Sequence, residues 1–179
     1  IKAAQFRKEF SLYDINTEIL NDFEQIFDLS NIKYFLSKSA KIDSNHYPIV
    51  FNKKLKIYEN KDVMPRAFFV NSYKVISDKK LIIKEMKDKS FDPRKEVILE
   101  VDPKIKLLEK PNNSTSIIDI EYYGNNEIII NTSTKHDGLL VLTDTNYKGW
   151  KAYIDDELTE IYTGNYLFRT ILLPKGNHQ

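Results

Sequence analysis

Two arginines are the first candidates for contact with a ligand, because the chain is rich in lysine and poor in arginine. Arg66 follows Pro65 and precedes the apolar run from Ala67 to Val70, and Arg169 lies in a second apolar segment. A guanidinium at the mouth of a buried strand needs a carboxylate or backbone carbonyls, and it also binds anions such as phosphate. The sequence therefore leaves two interpretations of Arg66, a structural ion pair or contact with an anionic ligand.

Aromatic residues near the C-terminus form a second group with possible binding chemistry. Trp150 alternates with apolar neighbours, which is typical of a core position, whereas Tyr153 falls on the opposite face with Lys151. Aromatic rings stack on sugar rings, so Tyr147 and Tyr153 are candidate contacts in a glycan-binding groove.

No residue is predicted to be catalytic, and no metal site is predicted. His46, His136 and His178 lie in polar segments without a second histidine at metal-ligand spacing, so we interpret them as solvated loop histidines. The chain has no cysteine, no Gly-x-Ser-x-Gly motif and no glycine-rich phosphate loop.

Neighbouring carboxylates at Asp155, Asp156 and Glu157 lie in a predicted turn, where adjacent side chains point in different directions. A glycosidase needs two carboxyl groups that face each other across a cleft. We therefore assign these acids to turn formation and solubility, and a hydrolase that uses a carboxylate pair remains an open alternative.

The composition favours a folded domain and limits the class of partner. The 179 residues include 41% hydrophobic residues, enough for a packed core, and 27 basic against 26 acidic residues give a net charge of +1. A nearly neutral chain gives no electrostatic reason to expect nucleic acid as a partner. No apolar run approaches the roughly 20 residues of a spanning helix, so we expect a soluble piece, which we interpret as part of a longer protein.

The elements that position these side chains are short strands with two helices in the first half. Apolar spacing predicts a helix near residues 17–28, capped by Asn16 or Thr17, and Ser77-Asp78 begins a second helix near residues 78–88. Strand patterns cover residues 32–36, 48–51, 55–58, 67–75 and 97–101. The polar segment from Pro103 to Thr115 favours a boundary, so we expect an α+β subdomain over residues 1–110.

The remaining third is dense in alternating strands and turns. Asp137-Gly138 and Asp155-Asp156 have the composition of hairpin turns, and the run from Leu139 to Leu142 is apolar on both faces, as in a central strand. The sequence thus predicts a mainly β fold with an antiparallel β-sandwich or jelly-roll-like part over residues 111–179, either as a subdomain or as part of one continuous domain.

Four stretches together resemble the C-terminal extracytoplasmic region of bacterial YfhO-type membrane proteins. They run from Asn31 to Leu36, from Tyr58 to Val70, from Leu139 to Asp155 and from Asn165 to His178. The family often has proline where this chain has Lys148, and Asp-Gly where it has Asp155-Asp156. The resemblance implies structural roles for Glu59, Asn60, Pro65, Gly149, Trp150, Asp155 and Gly176.

The resemblance implies a noncatalytic domain on the extracytoplasmic face of a polytopic bacterial membrane protein. Proteins of this type are similar to lipid-linked-sugar glycosyltransferases that modify cell-envelope polymers such as lipoteichoic acid. The parent would use an undecaprenyl-phosphate-linked sugar, whereas this piece would hold no cofactor. Its expected partners are the membrane-embedded part of the same protein and a cell-wall glycopolymer. The alternative is a glycan-binding β-sandwich without a transferase partner.

Overall fold

The computed structural model describes residues 17–38, 42–105, 107 and 116–179, and these residues form a mainly β fold with two helices, as predicted. Neither helix of this described part has the length and apolarity needed to cross a bilayer. The helices are α1 (Thr17–Leu29) and α2 (Lys79–Lys87). The strands are β1 (Tyr34–Ser37), β2 (Ile49–Asn52), β3 (Lys56–Glu59), β4 (Ala67–Val70), β5 (Ser72–Val75), β6 (Glu96–Leu99), β7 (Ile117–Tyr123), β8 (Ile128–Thr134), β9 (Gly138–Thr145), β10 (Ala152–Ile154), β11 (Glu157–Thr159), β12 (Tyr162–Gly164), β13 (Phe168–Leu173) and β14 (Gly176–His178).

The first unit, Ile1–Pro65, contains α1 and an antiparallel sheet in the order β1-β3-β2. Apolar residues recur at helical spacing in α1, so Leu20 and Phe27 are buried on one side of it. They pack with Phe35 of β1 and Tyr58 of β3, and the Phe27 and Phe35 rings meet edge to face with centroids 5.4 Å apart. The proposed cap residue Asn16 lies outside the described residues.

The division after Pro65 differs from the predicted boundary near residue 110. The second unit, Arg66–Gln179, contains a six-stranded sheet in the order β4-β9-β13-β12-β6-β5. Strands from both sides of residue 110 belong to this sheet. Hydrogen bonds between strands distant in sequence therefore join segments that composition alone separates.

The second unit includes one parallel connection within the otherwise antiparallel sheet. β5 and β6 pair in parallel, and α2 connects them. Asp78 caps α2 as predicted, because its carboxylate accepts hydrogen bonds from the backbone N–H groups of Lys80 and Leu81. β9 pairs with β4 on one side and β13 on the other, which confirms its predicted central position.

The predicted single strand over residues 67–75 is wrong, because it forms two strands on opposite edges of the six-stranded sheet. β4 ends at Val70 and β5 begins at Ser72, so Asn71 alone connects the two edges. Consecutive Cα atoms are about 3.8 Å apart, and the two edges must therefore approach each other at this point. The sheet accordingly curls into a half-barrel.

A third sheet, in the order β14-β8-β7, and the β10–β11 hairpin complete the second unit. Asp155 and Asp156 form the predicted two-residue turn of that hairpin, with φ values of 50° and 71°. The predicted hairpin at Asp137-Gly138 is wrong, because β8 and β9 belong to different sheets. Gly138 instead allows the Phe69 ring to pack closely against the backbone, since a Cβ at position 138 would lie 2.3 Å from that ring.

Candidate functional site

Arg66 and Arg169, the two arginines selected from the sequence, meet at one carboxylate. Arg66 precedes β4, Asp144 lies near the end of β9, and Arg169 lies on β13, so adjacent strands bring the three together. The Nη1 atom of Arg66 lies 2.9 Å from Oδ1 of Asp144, and the Nη2 atom of Arg169 lies 2.8 Å from Oδ2. Each carboxylate oxygen thus has its own guanidinium partner.

Two aromatic residues complete this group, which we call the Asp144 cluster (Arg66, Tyr123, Asp144, Trp150 and Arg169). The Tyr123 hydroxyl donates to the Asp144 carboxylate, with 3.0 Å to either oxygen, and the guanidinium of Arg169 lies 4.0 Å from the Trp150 ring centroid. Burial, together with the hydrogen bond to Asp144, raises the pKa of Tyr123. The phenol therefore remains a neutral donor at physiological pH.

Arg169 retains one unused donor within the Asp144 cluster. Its side chain is only 9% exposed, and its Nε–H group has no hydrogen-bond partner among the described residues. Burial lowers the pKa of Arg169 while the charge of Asp144 opposes that effect. The guanidinium stays protonated, since arginine does not lose its proton in proteins. A buried N–H donor without a partner is costly, so an acceptor placed there would be stabilised.

A cleft of about 530 Å³ lies beside Arg169, within the size range of small-molecule sites. Its lining residues come from β8, β9 and β13, together with Trp150 and with Tyr153 on β10. Apolar residues are the larger part of the lining, and they include Ile128, Ile130, Leu140, Leu142, Ile171 and Leu173. Charged and polar residues also line it, among them Glu127, Lys151, Asp156 and His178.

The other candidate residues occupy different places. Tyr153 is 52% exposed and lines the cleft, whereas Tyr147 is 74% exposed and lies outside the cleft lining. Arg66 belongs to the Asp144 cluster but does not line the cleft. The structure therefore brings Arg169, Trp150 and Tyr153 to the cleft and places Arg66 and Tyr147 apart from it.

Asp144 and Tyr123 are the members of the cluster that the sequence analysis missed. Asp144 follows the apolar run of β9, and alternation along the strand places it on the same face as Leu142 and Leu140. An acid on the cleft-facing side of a central strand is a signal that a basic partner lies on a neighbouring strand.

Asn60 has the most extensive contacts among the residues for which the resemblance implies a structural role. Its side chain donates to Oδ1 of Asp28 at 2.7 Å and to the carbonyl of Ile32 at 3.0 Å, and it accepts from the backbone of Asp62. Glu59 ends β3, immediately before Asn60. This buried amide therefore joins α1 to the segment that follows the sheet.

The other motif residues lie at bends or at the C-terminal strand. Gly149 and Gly176 adopt φ values of 107° and 133°, where a side chain would be strained, and Pro65 is exposed at the end of the first unit. Asp155 accepts a hydrogen bond from the backbone of Gln179 at 2.9 Å.

His178 lies in β14 and not in the loop that the sequence predicts. Its Nδ1 atom is 2.6 Å from Oδ2 of Asp155, and its Nε2 atom is 3.2 Å from the carbonyl of Lys175. These two acceptors raise the pKa of His178, and the backbone of Gln179 together with His178 lowers the pKa of Asp155. Asp155 is thus engaged in holding the C-terminal strand.

One more polar group, in the first unit, has the residue types of a metal site. One donor atom from each of Glu24, His46 and Asp62 lies within 4.8 Å of the others. The Nε2 atom of His46 is already 2.6 Å from the carboxylate of Glu24, and both side chains are partly exposed. The hydrogen bond between His46 and Glu24 accounts for this proximity, so we assign no metal to this group.

No protein-family model, no curated protein sequence and no solved structure matches the chain.

Proposed function

We propose that this chain is a noncatalytic binding domain whose cleft holds the apolar part of an amphipathic ligand. The proposal rests on one observation. An apolar cleft adjoins the Nε–H group of Arg169, which has no hydrogen-bond partner in the described part of the chain. The aliphatic walls favour a hydrocarbon chain or ring system, because burying apolar surface is the main driving force of such binding. The guanidinium supplies a hydrogen bond to an acceptor or anionic group of the same ligand.

In the proposed binding of a ligand, the Asp144 cluster holds Arg169 in place. Asp144 binds the Nη2 atom of Arg169, and Trp150 covers one face of the guanidinium. These contacts fix the orientation of the side chain and leave its buried Nε–H without an acceptor, so a ligand reaches this donor once the side chains around it shift.

The same contacts favour binding over catalysis. The carboxylate of Asp144 accepts hydrogen bonds from two arginines and Tyr123, so both of its oxygens already have partners. Asp155 is bound by His178 and Gln179. Asp144 and Asp155 therefore already serve structural interactions, and the acids in the cleft lining itself are Glu127 and Asp156.

On the resemblance to YfhO-type proteins, we also propose a cellular setting for this binding domain, namely its location and its partner. In that setting the domain lies on the extracytoplasmic face of a bacterial membrane and assists the membrane-embedded part of the same protein. That part would transfer a sugar from an undecaprenyl-phosphate carrier to a cell-wall glycopolymer such as lipoteichoic acid. A gene that encodes several hydrophobic spans before this domain would support the setting, and a gene without them would contradict it.

The single tryptophan of the chain provides a direct test of cleft binding. Because Trp150 lines the cleft, we expect its fluorescence to change saturably when dodecanoate is added below its micelle-forming concentration. Dodecyltrimethylammonium has the same chain length but a cationic group, so it should bind more weakly beside Arg169. No saturable change, or equal affinity for the two amphiphiles, would contradict the proposal.

Two variants locate the binding site. Ile128→Asp places a carboxylate on the cleft wall and should weaken dodecanoate binding by about tenfold or more. Ile117→Asp is its matched control, because Ile117 lies on β7 of the same sheet and is 62% exposed. Arg169→Lys keeps a cation beside Asp144 but removes Nε–H, so it should reduce the preference for dodecanoate over the cationic amphiphile.

A glycan-binding surface is the second candidate function, and the exposed rings of Tyr147 and Tyr153 favour it. In this case a teichoic acid fragment would give saturable heat in calorimetry, and Tyr153→Ala would reduce that heat. Binding of the fragment without any change in Trp150 fluorescence would favour this surface over the cleft.

A further inference from the structure

The sheet of the first unit has one covered face and one open face. Phe35 and Tyr58 point to the covered face, where they pack with α1. On the open face, Leu36 opposes Ile57, and Ile57 also opposes Phe51, so these three residues form a row across the three strands. We call this the outer face of the β1-β3-β2 sheet.

The outer face and its edge expose large apolar side chains. Leu36 is 57% exposed, Val50 is 52% exposed at a bulge in the edge strand β2, and Phe51 is 43% exposed. Tyr34, at the start of β1, is exposed to a similar degree. Neighbouring apolar residues exposed on one small sheet are typical of an interaction surface.

Lysines surround these apolar residues, and two of them lie over exposed rings. The Nζ atom of Lys33 is 5.5 Å from the Tyr34 ring centroid, and that of Lys53 is 5.7 Å from the Phe51 ring centroid. None of the lysines in and beside the sheet forms an ion pair with a described carboxylate; they are Lys33, Lys38, Lys53, Lys54 and Lys56.

Charge is unevenly divided between the two layers of this unit. The acids Glu18, Asp22, Glu24 and Asp28 all lie on α1, which packs on the covered face of the sheet. The sheet layer, residues 33–38 and 42–62, carries six lysines against three acids, and of these acids Glu59 is on β3 opposite Tyr34. On the open side Lys33 and Lys53 lie beside exposed rings. Strand alternation puts Lys56 on the covered face with Tyr58, and it puts Glu59 on the open face with Ile57.

We propose that the outer face of the β1-β3-β2 sheet docks on an anionic phospholipid surface. Leu36, Val50 and Phe51 would enter the headgroup boundary, and the lysines would contact lipid phosphates while their methylene stems cover apolar surface. Two copies of such a basic face repel each other, which disfavours pairing with a second copy of this chain. The inference goes beyond the proposed function and does not depend on cleft binding.

Co-sedimentation of the whole chain with lipid vesicles tests this inference. We expect binding to vesicles of equimolar phosphatidylcholine and phosphatidylglycerol, and little binding to phosphatidylcholine alone. Binding should fall steeply as salt is added, because salt screens the attraction between lysines and lipid phosphates.

Variants with matched controls assign the binding to the outer face. Lys53→Gln with Lys54→Gln should lower the partition coefficient by about tenfold or more, since each lysine near an anionic surface contributes separately. Lys79→Gln with Lys80→Gln removes an equally adjacent and exposed pair at α2 and should leave binding unchanged. For the apolar part, Val50→Ser should weaken binding while Val75→Ser, at a valine of similar exposure, should not.

Four results would overturn the inference. Equal binding to both kinds of vesicle would remove the charge argument, and an equal effect of the control lysine pair would place the binding elsewhere. A dimer that Phe51→Ser dissociates, measured by light scattering, would assign the face to a second copy. Binding to polyglutamate without binding to vesicles would show that the partner of the outer face is an acidic polypeptide.

Discussion

At the scale of single residues, Asp144 joins three side chains of the second unit. It pairs with a nearly buried Arg169 and a partly exposed Arg66, and it accepts a hydrogen bond from Tyr123. The pair with Arg169 is the stronger of the two ion pairs, because solvent screens the attraction to Arg66.

Asp144→Asn should therefore destabilise the chain by about 3 kcal/mol, mainly because it leaves the buried charge of Arg169 without a partner. Urea unfolding followed by fluorescence measures this loss. Asp119→Asn makes the same chemical change at an exposed position of β7 and should alter the free energy of unfolding by less than about 0.5 kcal/mol. Similar losses in the two variants would show that Asp144 does not hold the cluster.

His178 should make the stability of the chain depend on pH. Asp155 and the carbonyl of Lys175 raise the pKa of His178 above its usual 6.5, so the folded state favours the charged ring. The stabilisation that the charged ring gives to the folded state is fully present below pH 6.5, and it disappears as the pH rises through the raised pKa. The pKa of Asp155 is lowered, so its contribution disappears only in acid.

His178→Gln should accordingly destabilise the chain more at about pH 6 than at about pH 9. Thermal unfolding of the variant and the parent chain at both pH values gives the comparison. His136→Gln is the control, since no contact of His136 resembles the His178–Asp155 pair in the described structure. A loss that does not change with pH would contradict a charged His178.

Arg66 and Arg169 could be selected from the sequence because arginine is rare in this chain and both lie beside apolar strands. Asp144 could not be named as their partner, because a partner on another strand depends on sheet order and not on spacing along the chain. The unpaired Nε of Arg169 was equally beyond prediction, since it depends on which donors the neighbours satisfy.

At the scale of elements, local chemistry predicted both helices and most strands. The errors lie where a single residue changes the direction of the chain. Asn71 separates β4 from β5 without interrupting the strand pattern around it. Gly138 begins a strand in another sheet, although Asp137-Gly138 has the composition of a hairpin turn. Apolar alternation reports burial but not the identity of the neighbouring strand.

The cap of α2 gives a prediction at this scale. Asp78→Ala should lower the free energy of unfolding by about 1 kcal/mol, because the N–H groups of Lys80 and Leu81 lose their acceptor. Ser77→Ala, one residue earlier, should have a much smaller effect. Denaturant unfolding of both variants decides whether the carboxylate of Asp78 is responsible.

At the scale of the whole molecule, the large sheet determines which segments can fold without the rest. Its strands come from residues 67–99 and 138–173, so both parts are needed to complete it. The predicted division near residue 110 would separate β4, β5 and β6 from β9, β12 and β13.

A chain of residues 66–179 should therefore fold, whereas a chain of residues 111–179 should not. The shorter chain lacks three strands of the six-stranded sheet and exposes the central strand β9 on one side. Circular dichroism and the dispersion of amide resonances distinguish the two outcomes. A cooperatively folded shorter chain would support the boundary that the sequence analysis predicted.

The position of β4 also has a consequence for synthesis. β4 lies at an edge of the six-stranded sheet, and its partner there, β9, is encoded far downstream. While the ribosome translates the intervening region, Ala67, Phe68 and Val70 emerge without the strand that later pairs with them. A nascent chain that pauses before β9 presents this segment to chaperones, so the rate of translation sets how long it needs their protection.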